Sequence, residues 1–469
     1  MDNYIPQIPS TEFFYADGQI KEEDYIYTSF LQSKMFSKGV KCSDCHNPHT
    51  TKLKREIGNK TCVACHAPKK YDVPTHTFHI SEKSTECISC HMPGKIYMGN
   101  DLRHDHSFRV PRPDLSVSYG TPNACSSCHT EKSNQVLAAA VAKWYGPARK
   151  YHFADDLIPG SRLDENSEEH LVKLIKDNNV PSIIKATAVF YLGSIQTENS
   201  LNTLLSCVQD KDSQVRYRVL RSLSNFPPSS WVEVVGPALS DKVRAVRIAA
   251  ADLYITIPQE QIPDQYVISF SSAQKELKNL LEYQTDFAVG NVMMADYYLK
   301  LKDYDNAEKF YWKGFKKDDK ANYALLNLSA VYNMQGKNDQ SLEVLEKARK
   351  NDPKNERIYY NLGLLYNEMN DKPMAEKQFA KAVALKSNNP RVYYNYGLML
   401  SQKGMFKEAE KILKKGIAIN PAAPELYYAL AFVYSGTGNK EKTLETAIKL
   451  KQSDPDNPEY QEFFRRLGL

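Results

Sequence analysis

Between residues 41 and 130 the chain spells Cys-x-x-Cys-His four times, as Cys42/Cys45/His46, Cys62/Cys65/His66, Cys87/Cys90/His91 and Cys125/Cys128/His129. The same stretch of ninety residues holds only thirteen Leu, Ile, Val and Phe, too few for a polypeptide to build a core of its own. Whatever this segment folds around must come from outside the polypeptide. Two thiols at this spacing can form thioether bonds to one porphyrin, and the imidazole beside the second thiol then falls beneath the iron as an axial ligand. The expectation is four covalently attached haem c groups, one per motif, with the segment disordered without them and compact with them.

Structural zinc is the competing use of paired Cys-x-x-Cys units, yet it gives no reason for a histidine after every second cysteine. At a histidine frequency of about 2%, four such coincidences have a probability on the order of 10⁻⁷. A disulfide framework is weaker still. The motifs consume eight of the nine cysteines, and Cys207 stands alone in a helical pattern as a small buried apolar side chain.

The formal charge of +5 is small for 469 residues, and no basic run marks a nucleic-acid footprint. Residues 1–150 carry 19 Lys+Arg against 15 Asp+Glu, an excess that eight haem propionates would offset. No apolar stretch approaches the roughly 18 residues a membrane span needs. Covalent haem attachment takes place outside the cytoplasmic membrane, so the expected location is the periplasm or another compartment beyond that membrane. The chain opens Met-Asp-Asn-Tyr-Ile-Pro, without a basic or apolar leader region. Either a signal was removed or the true start lies upstream; we expect a truncated amino end, because a helix-like stretch over residues 21–38 leads straight into the first motif.

After residue 130 the periodicity changes. Residues 1–145 read as the tetrahaem domain, closed by an amphipathic helix over Lys132–Tyr145, and a Gly/Pro-punctuated linker spans 146–164. A period of 31 residues then aligns Ile184-Lys185, Val215-Arg216 and Val246-Arg247, together with Ala188, Val219 and Ala250 and with Leu192, Leu223 and Tyr254. This resembles HEAT-like repeats over residues 165–258, followed by a linker helix at 259–285. A period of 34 residues follows for five turns. Ala295, Ser329, Gly363, Gly397 and Ala431 hold a small position, Tyr298, Tyr332, Tyr366, Leu400 and Tyr434 come three later, and Ala307, Ser341, Ala375, Ala409 and Thr443 twelve after it. Pro353, Pro421 and Pro455 sit where second helices should end. The pattern resembles five tetratricopeptide repeats over residues 286–457, with 458–469 as a capping helix. The fold class expected is mainly α: a loop-rich multihaem domain followed by an α-solenoid, HEAT-like and then tetratricopeptide. Most of the thirty tyrosines fall at repeat-packing positions and read as core rather than as electron relays.

Histidine supply decides whether such haems transfer electrons or react. Beyond His46, His66, His91 and His129, the candidates for sixth ligands are His49, His76, His79 and His106, with His104 less favoured. His49 lies three residues after His46 and would more naturally ligate a neighbouring haem. His152 and His170 read as ordinary surface or packing histidines. Met35, Met92 and Met98 can serve as axial ligands in principle, although Met92 directly follows His91 and cannot reach the far face of the same haem.

The run Cys87-Ile-Ser-Cys-His-Met-Pro, then Asp105-His106, then Asn123-Ala-Cys-Ser-Ser-Cys-His129-Thr-Glu-Lys132 resembles the carboxy-terminal haem segment of pentahaem cytochrome c nitrite reductases, over residues 75–145. The resemblance implies closely stacked bis-His haems, a distal-ligand role for His106, and His76 or His79 in a loop facing a substrate pocket. The Cys-x-x-Cys-Lys motif of those reductases is missing here. Two functions therefore stay open. One is electron transfer, with a redox partner protein or its peptide docked on the repeat groove. The other is reduction or oxidation of a small nitrogen or sulfur oxyanion at an open iron. Four motif histidines and four candidate distal ones can saturate every iron, which favours transfer. Lys69, Lys70, Arg103 and Arg109 either neutralise propionates or steer an anion, and the first role is favoured.

Overall fold

The computed structural model describes residues 5–22, 26–55, 58–80, 85–163, 166–421, 423–454 and 457–469. It is mainly α-helical, and it divides into two compact units, residues 1–277 and 278–469.

In the first unit each motif sits on a single helical turn: Cys42–Cys45, Lys60–Val63, Cys87–His91 and the 3₁₀ turn Ala124–Ser127. The backbone N–H of the histidine closes that turn on the carbonyl of the first cysteine, His46 on Cys42 at 2.9 Å, His66 on Cys62 at 3.0 Å and His129 on Cys125 at 3.0 Å. One turn of helix thus gathers both thiols and the imidazole on one side of the chain. An antiparallel hairpin, Gly94–Tyr97 against Asp101–His104, follows the third motif. Its turn places Met98 and Gly99 in the left-handed region, at φ 49° and 80°.

The amino-terminal segment ties this region to the repeats of its own unit. Where the sequence suggests one helix over 21–38, the structure has two short ones, Ile26–Leu31 and Lys34–Ser37, the second capped by the Ser33 side chain. On one side Gln19 donates to the Pro122 carbonyl at 2.7 Å, Ser29 bonds to Asp105, and Arg109 donates to Gln32 at 2.9 Å. On the other, the Thr11 N–H donates to the Tyr191 hydroxyl at 3.0 Å and Gln214 donates to the Pro6 carbonyl at 2.8 Å.

The segment expected as linker contains the helix Ala154–Ser161, which packs on Ser167–Lys176 with Leu157 and Ile158 buried. The glycine that suggested a linker is there for contact: a Cβ on Gly160 would stand 2.6 Å from Leu171 Cδ2. The 31-residue period is a ladder of arginines. Arg216 grips Asp241 at 2.7 and 2.9 Å and donates to the Asp210 carbonyl, while Arg247 grips Glu276 at 2.8 and 2.9 Å and donates to the Asp241 carbonyl. Each guanidinium therefore fixes the loop before its own helix and a carboxylate from the element that follows. Cys207 is buried, as expected.

The second unit consists of five antiparallel helix pairs, from Ala288–Lys300 with Tyr304–Lys317 to Pro424–Gly436 with Lys440–Ser453, and ends in Pro458–Leu467. The small positions let paired helices touch: Ala295, Ala307, Ala375, Ala409 and Ala431 are fully buried, and the Ser341 hydroxyl donates to the Ser329 carbonyl at 3.0 Å. The tyrosines three residues on join successive pairs, Tyr332 donating to Glu308 and Tyr434 to Glu410, each at 2.8 Å. Pro353 and Pro421 fall in the loops that follow second helices. Pro455 lies outside the described residues. The final helix buries Tyr460 and Phe464 against Leu450.

Candidate haem-binding sites

The residues of the motif region fit covalently bound porphyrins. Among the described residues between 41 and 130, Tyr97 and Leu115 are the only large apolar side chains that are buried, whereas Ile80 is 94% exposed and Ile96 63%. All eight motif cysteines are unpaired and none is buried. The motifs follow one another in space as they do in sequence. The Cys62 and Cys87 sulfurs are hydrogen-bonded, which pulls the Cys87 thiol down to about 7 and pushes Cys62 up. Cys45 senses the charge of Cys65, and Cys90 that of Cys125 and Cys128.

Three of the four motif histidines face a second histidine ring. His46 and His106 stand with centroids 6.3 Å apart and planes 30° from parallel, His91 and His76 at 6.2 Å and 12°, and His129 and His79 at 6.0 Å and 33°. Each pair joins a motif histidine to one of the candidates the sequence marks for a sixth ligand. His66 differs. Among the described residues its ring neighbour is Tyr71, perpendicular at 5.8 Å, and Tyr71 also meets His76 perpendicularly at 5.4 Å.

Backbone carbonyls fix the tautomer of several of these rings. Nδ1 of His46 lies 2.7 Å from the Thr51 carbonyl, that of His91 2.7 Å from Arg109, that of His106 2.8 Å from His104 and that of His79 2.6 Å from Thr77. With Nδ1–H donating, Nε2 is left as the free lone pair that a metal needs. Burial lowers the pKa of His76 and His106, helped at His76 by His91, and favours the neutral imidazole.

The loops that carry the second histidines use a device without a plain sequence signal. Phe78, between His76 and His79, has φ 54°, and Phe108, just after His106, has φ 50°. A left-handed non-glycine residue costs on the order of 1 kcal/mol, and ring packing holds both in place. Phe78 stacks on Trp144 at 4.8 Å, and Phe108 meets Phe30 edge-on at 6.3 Å. The reversal at Phe78 sends His76 and His79 to different motifs.

The other histidines lie elsewhere. His49 is exposed in the loop after His46, with its N–H on Asn47 at 3.0 Å. His104 Nδ1 lies 2.7 Å from the Met92 carbonyl. His170 bonds Asp156 at 2.6 Å. His152, read from the sequence as an ordinary histidine, lines a cleft with Asp17, Cys90, Arg109, Arg112 and Asn123, and burial beside those arginines lowers its pKa well below the usual range. Arg109 is committed within the protein, to Ser107 at 2.9 Å, Gln32 at 2.9 Å and Asp17 at 3.8 Å, and Arg103 pairs with Asp101 at 2.7 Å. Lys69 and Lys70 are exposed.

Comparison with known families agrees with this architecture. Residues 34–71 match the doubled CXXCH motif, residues 168–254 match HEAT repeats, and tetratricopeptide models match residues 290–316, 330–370, 356–389 and 400–467. The chain joins a doubled-CXXCH segment of the multihaem c type, which points to covalently bound haem c, to HEAT and tetratricopeptide repeats, a class that binds proteins and peptides. Among solved structures it is similar to two crystal structures of MamA, at 24% identity over 37% of this chain and 95% of that one and at 25% over 36% and 98%, both with TM-score 0.32. It is also similar to YrrB, described as a TPR protein with an unusual peptide-binding site, at 23% identity over 38% of this chain and 92% of that one, TM-score 0.31. No curated protein matches. Among the described residues no helix is long and apolar enough to cross a membrane.

Proposed function

We propose that this chain is a tetrahaem c-type cytochrome that transfers electrons outside the cytoplasmic membrane, with its tetratricopeptide unit docking the redox partner. The observation that carries the reading is the set of three histidine pairs. Two imidazoles on opposite faces of one metal, each bonded at about 2 Å, have ring centroids about 6 Å apart, which is the spacing of His46/His106, His91/His76 and His129/His79.

Haem, when bound, supplies a one-electron couple, and the protein does the rest. His46, His91 and His129 would each hold a haem iron together with its ring partner, His106, His76 and His79 respectively, and such paired ligation would keep exogenous ligands out. The Thr51, Arg109, His104 and Thr77 carbonyls lock the rings by accepting from Nδ1–H, and this makes them stronger ligands. Histidine on both faces keeps potentials low relative to His/Met ligation. The contact between Cys62 and Cys87 supports a short path between the second and third groups.

Exposed apolar side chains recur along the first helices of the tetratricopeptide pairs, Tyr323 at 41%, Leu364 at 37% and Phe432 at 50%, and they suit a protein or peptide partner. Protein-film voltammetry on the full chain tests the transfer reading. It should resolve reversible one-electron couples for four haems, and His106→Met should move one couple upward and leave the others in place. A chain whose mass shows no covalent haem, or whose haems give no reversible couples, would overturn it.

A further inference from the structure

We propose that His66 is the sole protein ligand of its iron and that the opposite axial position takes a small anion. The inference rests on the tetrahaem reading above and goes beyond it, because it sets one of the four irons apart. Three motif histidines have a partner ring at 6.0–6.3 Å; among the described residues His66 has only Tyr71, edge-on and already shared with His76.

The remaining histidines are accounted for. His104 has its Nδ1 set by the Met92 carbonyl as the paired rings do, but it lies over Gly94, where a Cβ would come within 3.3 Å of its Cε1, and among the described residues its ring meets no motif histidine. His152 accepts at Nδ1 from the Ala154 N–H at 3.1 Å and lies against Phe153, tilted by 35° at 4.1 Å between centroids. His170 is bound to Asp156, and His49 lies in the exposed loop of the first motif.

The surroundings favour negative charge. Residues 52–72, which contain the Cys62/Cys65/His66 motif, hold six Lys and Arg against Glu56 and Asp72. The six basic side chains are exposed. Such a field raises the local concentration of an anion and weakens with added salt.

The test is titration of the ferric full-length protein with cyanide, azide and nitrite, followed by low-temperature EPR and optical spectra, and of the ferrous protein with carbon monoxide. One high-spin iron in four, converted by one equivalent of cyanide, is expected. Azide and nitrite affinities should fall as salt rises while that of carbon monoxide does not. His76→Ala, His79→Ala and His106→Ala should each keep that signal and add a second, which assigns the first to His66 without altering its own motif. Four low-spin irons that bind no ligand would overturn the inference and leave the electron-transfer reading intact; the appearance of one high-spin iron in His49→Ala or His104→Ala would then name the sixth ligand. Salt-independent azide binding would overturn the preference for anions. Fewer than three low-spin irons would instead count against the three histidine pairs.

Discussion

His76 and His91 hold their imidazole rings nearly parallel, 6.2 Å between centroids and 12° between planes, although they stand fifteen positions apart in the chain. If they are the two axial ligands of one iron, His76→Ala removes one ligand and leaves Cys87, Cys90 and His91 to hold the haem. The covalent haem count by mass spectrometry should stay unchanged while one low-spin iron becomes high-spin. Unchanged spin state in that variant would show that His76 binds no iron.

Without haem, the motif region should lose its fold while the repeats keep theirs. A chain in which the eight motif cysteines are replaced by alanine should lose protection from proteolysis across residues 41–130, since Tyr97 and Leu115 are the only large buried apolar side chains described there. The helix pairs of residues 278–469 should keep their protection. Limited proteolysis with mass mapping separates the two outcomes.

A buried carboxylate gives a prediction for stability and pH. Asp156 is penalised by burial, but hydrogen bonds from Lys173, Tyr151 and His170 outweigh that and hold its pKa below the usual carboxylate value. Because the folded value is depressed, the stabilisation is present above the unfolded pKa of about 3.9 and is lost as pH falls through the lower folded value. Asp156→Asn should cost about 2–3 kcal/mol at neutral pH and flatten the acid limb of stability below about pH 4. Thermal unfolding of the haem-loaded chain across pH 2–7 measures both.

Two glycines of the tetratricopeptide unit should behave oppositely. A Cβ on Gly363 would sit 2.6 Å from Phe379 Cδ1, inside a closely packed helix pair. Gly363→Ala should therefore cost about 1–3 kcal/mol. The nearest atom to a Cβ on Gly436 is Phe406 Cε1 at 3.4 Å, ordinary contact. Gly436→Ala should be neutral or stabilise by up to about 1 kcal/mol through helix propensity. Denaturant melts of the two variants provide the comparison.

The repeats were readable from sequence because small residues at a fixed period carry the packing themselves, as Ala295 and Ala307 do, and the Arg216 and Arg247 ladder follows the 31-residue period in the same way. The helix Ala154–Ser161 escaped because Gly160 and Pro159 look like linker chemistry until Leu171 is seen against them. In the haem region the motifs were explicit and the candidates His76, His79 and His106 stood out by residue type. Which histidine meets which motif was not legible, since it depends on backbone reversals at Phe78 and Phe108 that the sequence does not announce. His49 shows the limit of counting: four candidates matched four irons on paper, and the structure brings only three of them to a motif histidine.

Three histidine pairs, His46/His106, His91/His76 and His129/His79, are read as holding three irons closed. Quantitative low-temperature EPR of the ferric, full-length, haem-loaded protein tests this most directly. Three low-spin bis-imidazole irons per chain are expected, each lost singly in His76→Ala, His79→Ala and His106→Ala. A spectrum in which these three substitutions leave the low-spin intensity unchanged would contradict it.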